Sequence, residues 1–262
     1  MRVIKGRNAL VTGASRGIGT YITRRLAREG VNLAIASRDM ESLEREAYAL
    51  SIFGVRVKPY YLDLRDISAL DHSARQIDAE MGNIDILINN AGVEYPGRLD
   101  LIDPEKLVET ITTNVLGTIL LTKAFLGNML KRNFGHIVIM SSLAGIKGLP
   151  GNTIYSASKW GLLGFADGLR QELRGTNVSV SAVCPTFVSR AGVFARRNLQ
   201  LSGMLRATTP EHVAESVVRC IKHDVPRIIV ADPITKIIGL LVAVSPRLAS
   251  ILSSDLNKLY LS

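Results

Sequence analysis

Short apolar runs recur along the chain, separated by stretches with helical spacing, and this alternation is its main pattern. The runs suited to buried strands are Asn8–Thr12, Val31–Ala36, Val55–Leu62, Ile84–Asn89, His136–Met140, Val178–Val183 and Arg227–Ala231. They are nearly continuous in apolar residues, as parallel strands covered on both faces require. Between most of them lie amphipathic stretches such as Ile18–Arg28, Met40–Leu50 and Ile67–Glu80. Strand and helix in repetition predict an α/β, doubly wound, seven-stranded parallel sheet with helices on both faces. The 262 residues contain no repeat, low-complexity tract or dividing linker, so one domain over 1–262 is expected.

Composition narrows the class. A chain that is 47% hydrophobic and 21% charged fits a folded globular protein and excludes a disordered one. Cys184 and Cys220 lie far apart, with neither a metal spacing nor a disulfide framework. The stretch Met1–Leu10 has no long apolar segment, so no signal peptide is expected and a cytoplasmic protein is. The net charge of +9 would attract nucleic acid, anionic lipid or phosphorylated ligands. No Lys/Arg block or zinc-finger spacing supports nucleic-acid recognition, which leaves phosphate and lipid surfaces.

Two local patterns carry chemistry. The first strand runs into Thr12-Gly-Ala-Ser-Arg-Gly-Ile-Gly19. Its glycines leave room for backbone beside a ligand, and a helix starting near Ile18 would point free N–H groups at a phosphate. The spacing Gly-x-x-x-Gly-x-Gly departs from the general dinucleotide fingerprint, and a tight strand-to-helix turn would use the same glycines. Its place after the first strand favours the nucleotide reading. The second pattern is Tyr155-Ser-Ala-Ser-Lys159, a phenol and an ammonium one helical turn apart. A cation there favours the phenolate and so lowers a phenol pKa from its reference of ~10, poising it to exchange a proton with an alcohol or carbonyl oxygen. Alone, the same spacing also fits an ordinary surface pair.

Taken together, the glycine turn, Asn89-Asn90-Ala91-Gly92, Asn114, Ser142 and Tyr155-x-x-x-Lys159 resemble, in order and spacing, the classical short-chain dehydrogenase/reductase family over roughly residues 5–231. The resemblance implies a Rossmann-type sheet that binds a nicotinamide dinucleotide, with hydride transfer to or from a carbonyl or alcohol carbon. It implies Tyr155 as the acid at the substrate oxygen and Lys159 as its pKa modulator and a ribose ligand. Ser142 would donate to the substrate oxygen, with Ser141 as the alternative, and Asn114 would hold a proton-relay water or act as a buried brace. Cofactor contacts fall on Gly13, Ser15, Arg16, Gly17, Ile18 and Gly19 in the turn and on Asp63 and Leu64 after the third strand. Others fall on Asn90, Ala91 and Gly92 after the fourth strand, on Pro185, Thr186 and Val188 after the sixth, and on Tyr155 and Lys159. Part of the Asn89–Gly92 motif would brace the sheet. Thr186 and Ser189 depart from the family's glycine and threonine. Cys184 reads as a small buried residue rather than a nucleophile.

Cofactor choice turns on Ala36-Ser37-Arg38-Asp39. Family members specific for NAD place a carboxylate at the end of the second strand, whereas NADP enzymes place an arginine near the 2′-phosphate. Ser37 takes the acid position and Arg38 follows it, with Arg16 in reach of the same phosphate, so NADPH is expected. The competing reading makes Asp39 the ribose acid, which requires the strand to end two residues later.

The expected substrate loop, 186–210, contains Arg190, Arg196, Arg197 and Arg206 among apolar residues and no acid. An apolar lid with a cationic rim suits a hydrophobic chain on an anionic carrier; an amphipathic lid with solvated arginines has the same pattern. Thr209 and Pro210 form a helix start. In the tail, 232–262, the apolar run Ile237–Val244 is far too short to span a bilayer. It would pack on the domain or a dimer mate, or contact a membrane interface peripherally. These readings predict an NADPH-dependent reductase of a 3-oxoacyl thioester or other lipid ketone, acting as a homodimer or homotetramer through the Tyr155 helix, with no metal. The alternatives are a steroid or secondary-alcohol dehydrogenase working oxidatively and, from another class, a non-catalytic nucleotide-binding membrane or partner module.

Overall fold

In the computed structural model, which describes residues 3–190 and 207–233, one parallel sheet organises the chain. Its strands are β1 (Asn8–Thr12), β2 (Asn32–Ser37), β3 (Val57–Tyr61), β4 (Ile86–Asn89), β5 (Gly135–Met140), β6 (Val178–Pro185) and β7 (Arg227–Val230). Their spatial order is β3-β2-β1-β4-β5-β6-β7, and every pairing is parallel. The helices are α1 (Ile18–Arg28), α2 (Met40–Leu50), α3 (Leu70–Met81), α4 (Pro104–Ile111), α5 (Thr118–Lys131), α6 (Thr153–Glu172) and α7 (Pro210–His223).

Alternate strand residues serve opposite cores, which is why the strands read as unbroken apolar runs. Leu10, Leu87, Ile137 and Ile139 pack with Leu121, Phe125 and Leu162 on one face. Ala9, Val11, Ile86, Ile88 and Val138 pack with Ile22, Leu43 and Val217 on the other. Pro59 sits within β3, which an edge strand tolerates because the side lacking its N–H need not pair.

Local side-chain bonds move some boundaries from their predicted places. Asp66 Oδ1 accepts the Ala69 N–H at 3.2 Å, so a turn occupies 66–69 and α3 starts at Leu70 rather than Ile67. Asp78 Oδ1 accepts the Ile84 N–H at 2.6 Å, which delays β4 to Ile86. β2 ends at Ser37, one residue later than expected, and Asp39 caps α2 by accepting the Ser42 N–H at 3.1 Å. Thr209 caps α7 through the His212 N–H, with Pro210 at its first turn.

Between α4 and α5 the chain winds through a π-helical segment, Thr112–Gly117. Among the described residues no helix is long and apolar enough to cross a membrane. Arg196, Arg197 and Arg206 of the expected lid, and the apolar run of the tail, lie outside the described residues.

Candidate active site

β1 and β4 are neighbours in the sheet but distant in sequence, and a crevice opens beyond their carboxyl ends. The resulting cavity is about 750 Å³. Its floor is the glycine turn. Gly13 has φ +65°, and a Cβ there would lie 2.8 Å from the Ala91 Cα, so both conformation and space demand glycine. Thr12 Oγ1 accepts the N–H groups of Asn90 and Ala91 at 3.0 Å, while Asn90 Nδ2 donates to the carbonyls of Thr12 at 2.9 Å and Gly13 at 3.2 Å. Asn90 therefore lines the cavity while its amide braces the turn. The first turn of α1 has no side-chain cap and no acidic residue, which leaves its N–H groups and positive dipole end for an anion.

All residues assigned to the cofactor by resemblance line this cavity except Gly19. A Cβ at Gly19 would collide with the Gly13 carbonyl, so this glycine permits the turn to pack on α1 and does not face the cavity.

At the end formed by β2 and β3, Ser37, Arg38, Asp39, Asp63 and Leu64 line the wall together with Arg16. The Asp39 carboxylate caps α2, and Ser37 Oγ accepts the Asp39 N–H at 3.0 Å. That use of the carboxylate weighs against Asp39 as a ribose ligand. Asp63 is gripped by Arg65, whose Nε lies 3.0 Å from both carboxylate oxygens, and this bond holds the Asp63 carboxyl below its usual range. Glu109 of α4 stands behind the arginines, its Oε1 being 3.3 Å from Arg65 and 3.7 Å from Arg38.

At the opposite end, β5 delivers Ser141 and Ser142. Ser141 Oγ donates to the Lys159 carbonyl at 2.9 Å, so that hydroxyl is committed to backbone. Ser142 Oγ accepts the Ala144 N–H at 3.1 Å and lines the cavity, which leaves its own O–H as a donor toward it. Tyr155 and Lys159 lie one turn apart on α6, with the Lys159 Nζ 5.5 Å from the Tyr155 ring centre. Lys159 is buried, and its Nζ donates to the Met140 carbonyl at 2.9 Å.

Burial pulls the Lys159 pKa down to about 8, opposed by the charge of Glu94. The folded state thus binds this proton less tightly than the unfolded chain. Its contribution to stability is unfavourable below about pH 8 and is relieved as pH rises from there toward the unfolded value of 10.5. Lys159→Met should therefore raise the melting temperature by a few degrees at pH 7, on the order of 1–3 kcal/mol. Thermal melts of both proteins across pH 7–10 check this, with the slope above pH 8 flattened in the variant.

Asn114 does not line the cavity. It is fully buried in the π-helical segment, with Oδ1 accepting the Val93 N–H at 2.8 Å and Nδ2 donating to the Val93 carbonyl at 2.9 Å and to Ser158 Oγ at 3.1 Å. These bonds tie the side chain to the loop after β4 and to α6. They fix the strand exit beside Gly92, where an added Cβ would lie 3.2 Å from Asn114 Oδ1 and 3.6 Å from Lys159 Nζ.

Burial pushes the Cys184 thiol up to about 12, which keeps it protonated. Arg190, the one lid arginine among the described residues, is ion-paired with Glu211 at 2.9 Å rather than presenting an uncompensated cation. Thr113, Glu94 and Asn152 also line the cavity. They sit in the π-helical segment and in two loops, and no motif or periodicity marks them in the sequence.

The family model described as short chain dehydrogenase matches residues 7–201. Ketoacyl reductase HetN of Nostoc sp. is 38% identical over 237 residues, 90% of this chain and 83% of that protein. The structure of a variant of actinorhodin polyketide ketoreductase with NADPH aligns at a TM-score of 0.80 and 31% identity, covering 86% of this chain and 95% of that one. A short chain dehydrogenase/reductase of Burkholderia phymatum in complex with NAD aligns at 0.83 and 26% identity, covering 95% and 96%.

Proposed function

The chain belongs to the short chain dehydrogenase family, and from that premise we propose that it is an NADPH-dependent reductase of a ketone on a hydrophobic substrate, a 3-oxoacyl thioester or another lipid ketone. The observation that carries this reading is that Ser142, Tyr155 and Lys159 open into the same cavity as the glycine turn.

The cavity suits a dinucleotide. Gly13 leaves a cradle that a Cβ would fill, and the Oγ1 atoms of Thr113 and Thr186 are buried in its wall without a hydrogen-bond partner. Such orphaned hydroxyls cost free energy unless a ligand meets them. The N-terminus of α1 would hold the pyrophosphate, Asp63 and Leu64 the adenine end, Lys159 the nicotinamide ribose, and Pro185, Thr186 and Val188 the nicotinamide end. Arg16 and Arg38 beside Ser37 favour the phosphorylated ribose, and the ketoreductase similar to this chain was solved with NADPH.

When bound, the nicotinamide supplies a hydride to the carbonyl carbon. The Ser142 O–H donates to the carbonyl oxygen and fixes it beside Tyr155. The Tyr155 O–H gives its proton to that oxygen as negative charge develops. The Lys159 ammonium, held by the Met140 carbonyl, stabilises the phenolate left behind. Asn114 fixes Val93 and with it the adjoining Gly92, where an added Cβ would lie 3.6 Å from Lys159 Nζ.

The test is consumption of NADPH by the purified chain with a panel of 3-oxoacyl thioesters, long-chain ketones and steroids. Turnover of thioesters or long-chain ketones is expected. NADPH binding without turnover on any of them would overturn the reading in favour of a nucleotide-binding module.

A further inference from the structure

Asn152 occupies the N-cap of α6 yet makes no side-chain capping bond. Asparagine at an N-cap ordinarily accepts an N–H from the first turn, a bond worth on the order of tenfold in the folding equilibrium. Here the side chain turns away from the helix, and its Nδ2 donates to Glu94 Oε1. Asn152 is 1% exposed and its Oδ1 has no hydrogen-bond partner. A local rule broken at such a loss marks a place shaped for something other than the fold.

Both residues line the cavity at its reaction end. Asn152 precedes Tyr155 by three residues, which places it about one helical turn from the phenol. The charge of Glu94 is felt at Lys159, so this carboxylate also stands near the catalytic group.

Bracing of the loop does not account for the pair. Val93 is already fixed by Asn114, and the Gly97 N–H donates to the Gly151 carbonyl at 2.8 Å. Glu94 thus hangs between two anchored points, and a brace would have no reason to leave an acceptor orphaned at the cavity wall.

Resting on the reductase reading, we propose that Asn152 Oδ1 and the Glu94 carboxylate form a substrate subsite that accepts hydrogen bonds from a hydroxyl or ammonium group close to the ketone. Both atoms offered are acceptors, one of them charged. The subsite thus selects a neutral or cationic donor flanking the carbonyl and repels a carboxylate there. A long-chain ketone with a polar donor on its α-carbon meets both this subsite and the apolar wall of Leu143 and Leu149.

Three nonyl ketones of matched size test it: the hydroxymethyl ketone, the aminomethyl ketone as its salt, and the ethyl ketone, which has no donor. With NADPH, the wild-type protein should favour at least one donor-bearing ketone over the ethyl ketone by about ten- to a hundredfold in kcat/KM, largely through KM. Preference for the hydroxyl or the amine identifies the donor. Within Glu94→Gln and within Asn152→Ala the same ratio should fall below about threefold. Because Asn152 makes no capping bond, its alanine variant keeps the helix start. Turnover of all three ketones at similar rates, or a ratio unchanged in both variants, overturns the subsite and leaves the reductase reading standing. Absence of turnover on all three by protein that binds NADPH counts against the reductase reading itself.

Discussion

Tyr155→Phe is expected to lower kcat for ketone reduction by about a thousandfold while leaving the dissociation constant for NADPH within about twofold. The substitution removes one oxygen and little volume, so the cavity and the glycine turn remain. What disappears is the acid that meets the developing alkoxide. Positioned proton transfer of this kind is worth roughly 10²–10⁴-fold. Ser142 would still donate to the oxygen and Lys159 would still carry its charge, but neither stands in for the lost proton. The Lys159 Nζ donates to the Met140 carbonyl and lies 5.5 Å from the centre of the Tyr155 ring. Single-turnover measurement of NADPH oxidation, paired with fluorescence titration of NADPH, separates the two effects. Residual kcat within tenfold of wild type would remove Tyr155 from the mechanism. A matched loss of NADPH affinity would instead make the phenol a binding group, because the defect would then lie in the ground state.

How much of this was legible in the sequence follows from the range of each interaction. β1, α1 and α2 have the boundaries that their apolar runs predict, because glycine turn and Asp39 cap are local devices. The start of α3 was misplaced by the Asp66 turn, in which a side chain competes with the helix for an N–H. The π-helical segment carrying Asn114 has no sequence signature. Gly117 packs so closely on Leu64 that a Cβ would lie 2.5 Å from the Leu64 carbonyl oxygen, and that contact comes from a distant strand end. The site divides in the same way. Tyr155 and Lys159 share a helix turn, so their spacing brings them together, and the accompanying motifs set them apart from an ordinary surface pair. Ser142 and Ser141 are adjacent; the spacing to Tyr155 favours Ser142, and the bond from Ser141 Oγ to the Lys159 carbonyl agrees with that choice. Glu94 and Asn152 meet across 58 positions in sequence, through two loops that no local pattern predicts.

Arg38→Asp should shift the ratio of kcat/KM for NADPH over NADH by about two to three orders of magnitude toward NADH. Arg38 leaves β2 just after Ser37, where a 2′-phosphate would arrive, and its guanidinium is only loosely held by Glu109 at 3.7 Å. A charge-assisted bond from arginine to phosphate contributes about 1.5–3 kcal/mol, or roughly ten- to a hundredfold. The introduced carboxylate adds repulsion toward the phosphate and an acceptor for the ribose hydroxyls of NADH, and these two terms supply the remainder. Arg38→Gln isolates the first term, since it removes the cation without offering a carboxylate. It should weaken NADPH by about tenfold or more and leave NADH nearly unchanged. Arg16 remains in both variants, so NADPH binding should persist and stay more sensitive to salt than NADH binding. The Glu109 carboxylate sharpens the comparison. It competes with the phosphate for Arg38 in the wild type, so Glu109→Gln should move the ratio the opposite way, toward NADPH, by a smaller factor. If all three variants leave the ratio within threefold of wild type, the basic residues at the end of β2 do not read the phosphate, and the preference for NADPH falls with them.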